Sequence, residues 1–301
     1  MIELSARHKA MLQEIGVPLW LPPAVDRPAQ SAHAPGADAT PTLTPIPPVA
    51  QPRPTPSPAS AQRIALPVRE PIKPARPPQA SDDFVPTPPA FDGATVEWGP
   101  LQAAVAECRA CRLCLNRTQP VFGVGTDEAA QADAPLDWLV VGEGPGEQED
   151  LKGEPFVGAA GKLLDQMLAA MQLSRQRSGP QSPSLYITNV VKCRPPGNRN
   201  PMPDEVQACS GHLQAQIRLL KPRFILALGR FAAQTLLKDS VADIEGLALG
   251  KLRGRVHRHG EVPVVVSYHP SYLLRNPAEK AKSWADLCLA LQAWAETNRT
   301  V

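Results

Sequence analysis

Four cysteines in two pairs, Cys108-x2-Cys111 and Cys193-x15-Cys209, bracket a glycine-rich segment, Gly142-Glu143-Gly144-Pro145-Gly146. Thiolates paired in this way hold soft metals, either zinc or an iron-sulfur cluster. Zinc ribbons use two short-spaced pairs. Here the second pair is wide and has a helix start, Pro203-Asp204-Glu205, between its members, which favours a cubane cluster held on a loop and the following helix. Cys288 lies among apolar residues and reads as a small core side chain. Cys114, three residues past Cys111, competes as a ligand.

Glycines directly after an apolar run usually suggest a phosphate loop, but the segment has no Lys-Ser/Thr and no third glycine at dinucleotide spacing. The carboxylate of Glu143 would repel phosphate; it suits work on a proton, a water or a developing cation, with Asp150 as a weaker substitute. The acidic run Glu147, Glu149 and Asp150 also reads as a helix N-terminus. Phe156, between Pro155 and Gly158, can stack on a planar ring or plug the core. Asn189 closes Tyr186-Ile187-Thr188-Asn189 and offers an amide donor and acceptor to the edge of a base. His269 follows another apolar run, in Ser267 to Arg275.

These residues need a scaffold, and the hydrophobic periods supply one. Short apolar runs at Trp138 to Val141, Leu185 to Val191, Phe224 to Leu228 and Val262 to Val266 read as buried strands. Helical periods fall between and after them, over Ala160 to Met171, Asp204 to Leu220, Phe231 to Leu237 and Glu279 to Ala295. Alternating strands and helices predict a parallel sheet covered on both faces. In such folds chemistry collects at the carboxyl ends of the strands, where Glu143, Asn189, Gly229-Arg230 and His269 all fall. The polar stretch Ser174 to Ser184 reads as a surface loop.

Of the 36 prolines, 21 precede Trp98 in a stretch poor in aromatic residues. Such a segment cannot bury enough apolar surface to offset its ordering entropy. The expected organisation is a short amphipathic helix over 1–17, which reads either as a frayed terminal helix or as a docking peptide for a protein partner, then a disordered Pro/Ala-rich linker over 18–97, and one folded domain over 98–301. A formal net charge of +2 is too mild to name a partner. Basic residues cluster, though, in one loop at Lys192, Arg194 and Arg199 and again at Lys251, Arg253, Arg255 and Arg258 beside His257 and His259, and each cluster reads either as a solvated basic surface or as a phosphate-binding one. No signal peptide or membrane span is legible, so a cytoplasmic monomer with reduced thiols is expected.

Taken together, Gly142 to Gly158, Thr188-Asn189-Val190-Val191-Lys192-Cys193-Arg194-Pro195-Pro196, His269-Pro270 to Arg275 and the four cysteines resemble the family 4, iron-sulfur class of uracil-DNA glycosylases. The likeness spans about Cys108 to Leu289 and omits the tail. It implies an α/β fold, a three-layer αβα sandwich around a four-stranded parallel sheet. It also implies a [4Fe-4S] cluster on Cys108, Cys111, Cys193 and Cys209, and action on uracil in single- or double-stranded DNA. By the same resemblance Glu143 and His269 are catalytic, and Gly144, Phe156 and Asn189 bind the flipped base. Arg194, Arg199 and Arg275 would contact the DNA backbone, and Leu273 or Leu274 would wedge into the vacated stack. Two other classes compete, a non-catalytic iron-sulfur DNA-binding protein and an electron-transfer protein; ferredoxin-like ligands crowd into short runs and match these cysteines only loosely.

Overall fold

The computed structural model describes residues 84–299, apart from 88–90, 93, 128–129, 131–133, 177–178 and 180. The expected N-terminal helix over 1–17 and the linker as far as residue 83 lie outside the described residues.

Six strands form one sheet in the order β1-β3-β2-β4-β6-β5. They are β1 (Val124–Gly125), β2 (Trp138–Gly142), β3 (Leu185–Asn189), β4 (Phe224–Leu228), β5 (Val256–His259) and β6 (Val262–Ser267). The inner four, β3, β2, β4 and β6, are parallel, as expected. The edges are additions: β1 pairs antiparallel with β3, and β5 pairs antiparallel with β6. Two residues of β1 and the half-exposed pattern of β5 give no hydrophobic run to read. The stretch taken as a basic surface therefore contains an edge strand. Within it His257 Nε2 meets the Leu252 carbonyl at 2.7 Å, and His259 Nδ1 meets that of Leu236 at 2.7 Å.

Side-chain alternation along the inner strands builds the layers. Trp138, Val140, Ile187, Phe224 and Val265 point to one face, against α3 (Ala159–Ala170), α7 (Pro270–Arg275) and α8 (Lys280–Arg299). Leu139, Val141, Ile225, Ala227 and Val264 point to the other, against α1 (Trp98–Ala106), α4 (Pro203–Leu220) and α5 (Arg230–Leu237). Each large apolar side chain so buried contributes about 1.5–3 kcal/mol relative to exposure. The described residues also include two short α-helices, α2 (Glu147–Lys152) and α6 (Leu249–Leu252).

Local chemistry sets the ends of these helices. α4 begins with Pro203 at its first position, and Glu205 reaches back to accept from the Met202 amide at 2.7 Å. α2 stops at Gly153, whose φ of +76° closes the turn.

Packing starts before Trp98. Val96 is buried with Leu101 and Ala215, the Phe91 ring lies 5.1 Å from that of His212, and Thr87 bridges Arg109. The ordered domain thus reaches further back than the boundary at residue 98, because these few apolar residues find a groove beside α4.

The chain runs from β2 to β3 on one side and then crosses to β4 on the other. That reversal opens a crevice at the carboxyl end of β2, where Glu143 follows Gly142.

Candidate active site

A cleft of about 620 Å³ opens at this crevice, with Glu143, Phe156, Asn189, His269 and Arg275 on its walls. They come from three strand ends: Glu143 and Phe156 follow β2, Asn189 closes β3, and His269 and Arg275 follow β6. Gly144, the remaining expected base-binding residue, lines the same cleft.

Close approach requires glycine at the end of β2. A Cβ on Gly142 would lie 2.4 Å from Asn189 Oδ1 and 2.5 Å from Phe156 Cζ, so no larger residue leaves those two side chains in place. The Phe156 ring stacks on the His269 imidazole at 5.4 Å. Phe156 also has a φ of +55°, an uncommon conformation for a bulky residue, and is buried. It is partly the core plug that the sequence allowed and partly a cleft wall.

Two buried polar atoms in this cleft, Asn189 Oδ1 and His269 Nε2, have no partner among the described residues. Buried polar groups are rarely left unpaired, and doing so costs about 1–3 kcal/mol. On the far side of the His269 ring, Nδ1 lies 2.8 Å from Ser271 Oγ and accepts from the Ser271 amide at 3.3 Å, an arrangement that suits a proton on Nε2. Burial, helped by Arg275, lowers the His269 pKa to about 4, so the ring is neutral at physiological pH. Burial raises the Glu143 carboxyl above its ordinary value, while Arg230 and Arg275 pull it back. The cleft thus presents an acceptor, a neutral donor and a carboxylate with a raised pKa.

Glu149 and Asp150, near neighbours of Glu143, are structural. Glu149 accepts from the Gly146, Val157 and Gly158 amides at 2.9–3.0 Å and so joins the loop after β2 to the loop before α3. A carboxylate three residues after a helix-starting glycine was the signal for it. Asp150 is buried and accepts from the Thr118 amide through both oxygens, outside the cleft, so it does not substitute for Glu143.

The DNA-contact expectations divide. Arg275 lines the cleft and is exposed. Arg194 donates to Asn198 at 2.8 Å at the cleft margin. Arg199 lines the cleft, but its guanidinium forms two bonds to Glu205, at 2.8 and 2.6 Å. Leu273 is corrected: it is 1% exposed, packed in the core beneath α7, and cannot wedge into DNA. Its neighbour Leu274 is 43% exposed and remains available. One residue step on a helix turns a side chain by about 100°, which separates the two.

Behind β3, Cys108, Cys111, Cys193 and Cys209 line one small apolar pocket, which Cys114 also borders. Among the described residues, no three His, Cys, Asp or Glu side chains converge tightly enough for a single metal ion. The chemistry around the sulfurs nevertheless suits thiolates bound to a larger group. Arg117 donates to Cys193 Sγ at 2.9 Å, the Lys192 amide donates to Cys209 Sγ at 3.3 Å, and His212 Nε2 lies 3.3 Å from Cys108 Sγ. Burial pushes the Cys209 thiol up to about 12 and the Cys111 thiol to about 11, so without a metal both keep their protons.

Lys192 was read as part of a basic surface loop, and the structure corrects this. It is fully buried, with Nζ 2.7 Å from Thr188 Oγ1, 2.7 Å from the Asn189 carbonyl and 2.6 Å from Gln216 Oε1. Burial lowers its pKa to about 8, with Cys209 and Cys193 opposing. It stands between the cysteine pocket and the strand end that carries Asn189.

Comparison with known proteins agrees with this architecture. The family model described as the Uracil DNA glycosylase superfamily matches residues 130–289. A type-4 uracil-DNA glycosylase of Archaeoglobus fulgidus is 44% identical over 177 residues, 58% of this chain and 81% of that protein. Its counterpart in Thermotoga maritima is 42% identical over 183 residues, 59% of this chain and 83% of that protein. A third, from Pyrobaculum aerophilum, is 37% identical over 196 residues, 63% of this chain and 90% of that protein. The match begins before β2 and ends within α8, so it takes in every wall of the cleft, and the chain belongs to the uracil DNA glycosylase superfamily.

Proposed function

We propose that the protein is a uracil-DNA glycosylase: it flips uracil out of DNA and hydrolyses its N-glycosidic bond, leaving an abasic site for repair. One observation carries the reading. Asn189 Oδ1 and His269 Nε2–H are a buried acceptor and a buried donor in one cleft, without partners among the described residues. Uracil offers N3–H to the first and a carbonyl oxygen to the second. Cytosine has no hydrogen on N3, which would leave Oδ1 unpaired at a cost that rejects it.

The flipped ring lies against Phe156, which recovers part of the unstacking energy. As the bond from N1 to C1′ breaks, its electron pair moves onto the uracil ring and positive charge grows on the sugar. His269 Nε2–H stabilises the uracil oxygen, a role that a neutral imidazole performs without giving up its proton. Glu143 stabilises the sugar cation and orients the attacking water, whose hydroxyl joins C1′ while its proton passes to the carboxylate. The raised pKa suits a group that accepts that proton.

Arg275 and Arg230 at the cleft, with Arg194 at its margin, suit contacts to phosphates, and Leu274 suits the space the base leaves. The four cysteines suit a [4Fe-4S] cluster, which when bound would cross-link the segment before β1, the loop after β3 and α4. Arg117, His212 and Lys192 would orient its thiolates and balance their charge. No helix among the described residues is long and apolar enough to cross a membrane.

The test is release of uracil from single- and double-stranded oligonucleotides, read as alkali-labile abasic sites. Binding without release by the purified, iron-containing protein would favour the non-catalytic alternative.

A further inference from the structure

Arg175 lies in the polar stretch after α3 that reads in sequence as a plain surface loop, yet its side chain is only 16% exposed. Every nitrogen of its guanidinium is engaged. Nη1 donates to the Pro155 carbonyl at 2.9 Å and Nη2 to the Phe156 carbonyl at 3.0 Å. Nε donates to Asp165 Oδ1 at 2.8 Å, with Nη2 2.7 Å from the same oxygen. The loop thus folds back over its own helix to grip the peptide that precedes it.

That peptide needs gripping. Phe156 has a φ of +55°, and a non-glycine residue held there costs of order 1–3 kcal/mol unless its surroundings over-determine it. Three contacts do so. Glu149 holds the Val157 and Gly158 amides. α3 lies so close that a Cβ on Gly161 would come within 1.7 Å of the Phe156 carbonyl oxygen. Arg175 caps that carbonyl and the one before it. The conformation sends the ring forward, between Gly142 and His269.

We propose that Arg175, oriented by Asp165, is a positioning residue for base recognition: it fixes the backbone at Pro155 and Phe156 so that the Phe156 ring meets the flipped uracil squarely. A planar guanidinium serves two carbonyls and a carboxylate in one plane, and a lysine ammonium cannot reproduce that fork. Arg175 touches neither DNA nor the reacting atoms; it acts through Phe156. The inference rests on the proposed function, because it needs Phe156 to be the surface on which uracil stacks.

The experiment compares wild type, Arg175→Met, Arg175→Lys and Asp165→Asn, each also combined with Phe156→Leu. Expected is a rise in KM for uracil-containing oligonucleotides, and in the inhibition constant of free uracil, by roughly ten- to a hundredfold in both Arg175 variants, the order of a lost base–aromatic stack. Single-turnover rate at saturation and affinity for abasic DNA stay near wild type. Asp165→Asn moves the same constants by less. In the Phe156→Leu background the Arg175 substitutions add nothing further, since both act on one contact.

Unchanged uracil inhibition in Arg175→Met overturns the inference. So does an equal further loss in the Phe156→Leu background, or a matching loss of abasic-DNA affinity. If Arg175→Met fails to fold, Asp165→Asn decides: uracil inhibition unmoved in that variant also overturns it. Failure of wild type to release uracil at all would instead overturn the functional reading.

Discussion

The imidazole of His269 lies against the Phe156 ring, with centroids 5.4 Å and planes 30° apart. One side chain is built to meet the face of a base and the other to meet its edge, so each supports the other. Gly142 makes room for the Phe156 ring and the Asn189 amide, and its replacement by alanine would displace both of these recognition residues at once.

Glu143→Gln keeps size and removes charge. Turnover on uracil-containing DNA should fall roughly 10²–10⁴-fold, the span of general acid–base contributions. Affinity for abasic DNA should be retained. Measured kcat at the wild-type level would assign the water-orienting role to another group.

Arg275 lowers the pKa of Glu143 and that of His269 by its positive charge. Activity needs Glu143 ionised and His269 neutral, so both groups limit the rate on the acid side. In Arg275→Met both pKa values rise, and the acid limb of kcat/KM should move to higher pH. A limb that stays fixed, or moves down, contradicts the assignment of either group.

Leu273 and Leu274 should separate stability from DNA engagement. Leu273→Ala opens a cavity under α7 and should cost about 2–5 kcal/mol in denaturant unfolding. Leu274→Ala should leave the melting temperature in place and lower activity on duplex more than on single strands, where there is no paired stack to hold open. The reverse pattern would place the wedge elsewhere.

On the proposed cluster, Cys209→Ser should abolish iron content and visible absorption, whereas Cys114→Ala and Cys288→Ala should keep both. Loss of iron in Cys114→Ala would make that thiol a ligand. Lys192→Met removes the donor shared by Thr188, Asn189 and Gln216 and should lower unfolding free energy by about 1–3 kcal/mol.

The regular elements were legible because their cores repeat. The apolar runs of the inner strands and the helical periods over α3, α4, α5 and α8 gave bounds close to those observed. α7 was not legible: six residues are too few to show a period, so Leu273 and Leu274 read alike until helix geometry buried one and exposed the other. Lys192 was misread because a lysine among arginines looks solvated, and only three-dimensional closure shows acceptors on every side of it. Arg175 was invisible for the same reason, since its partners lie at 155–156 and 165 and nothing local announces them. The cleft residues Glu143, Asn189 and His269 were legible as strand-end peptides and Phe156 as a loop residue, while the Ser271 contacts to His269 Nδ1 appeared only in three dimensions.

Glu149 binds the amides of Gly146, Val157 and Gly158 with one carboxylate. The loop that carries Glu143 and the loop that carries Phe156 are thereby stitched into a single block, and the Val190 and Val191 amides, donating to the Gly142 and Glu143 carbonyls at 3.0 and 3.1 Å, tie that block to the β3 end that carries Asn189. An engineer seeking a different base is therefore confined to exchanging the Asn189 side chain, because the backbone on either side of it holds the hydrolytic half in register. The same stitch makes the two loops poor places to begin such a redesign.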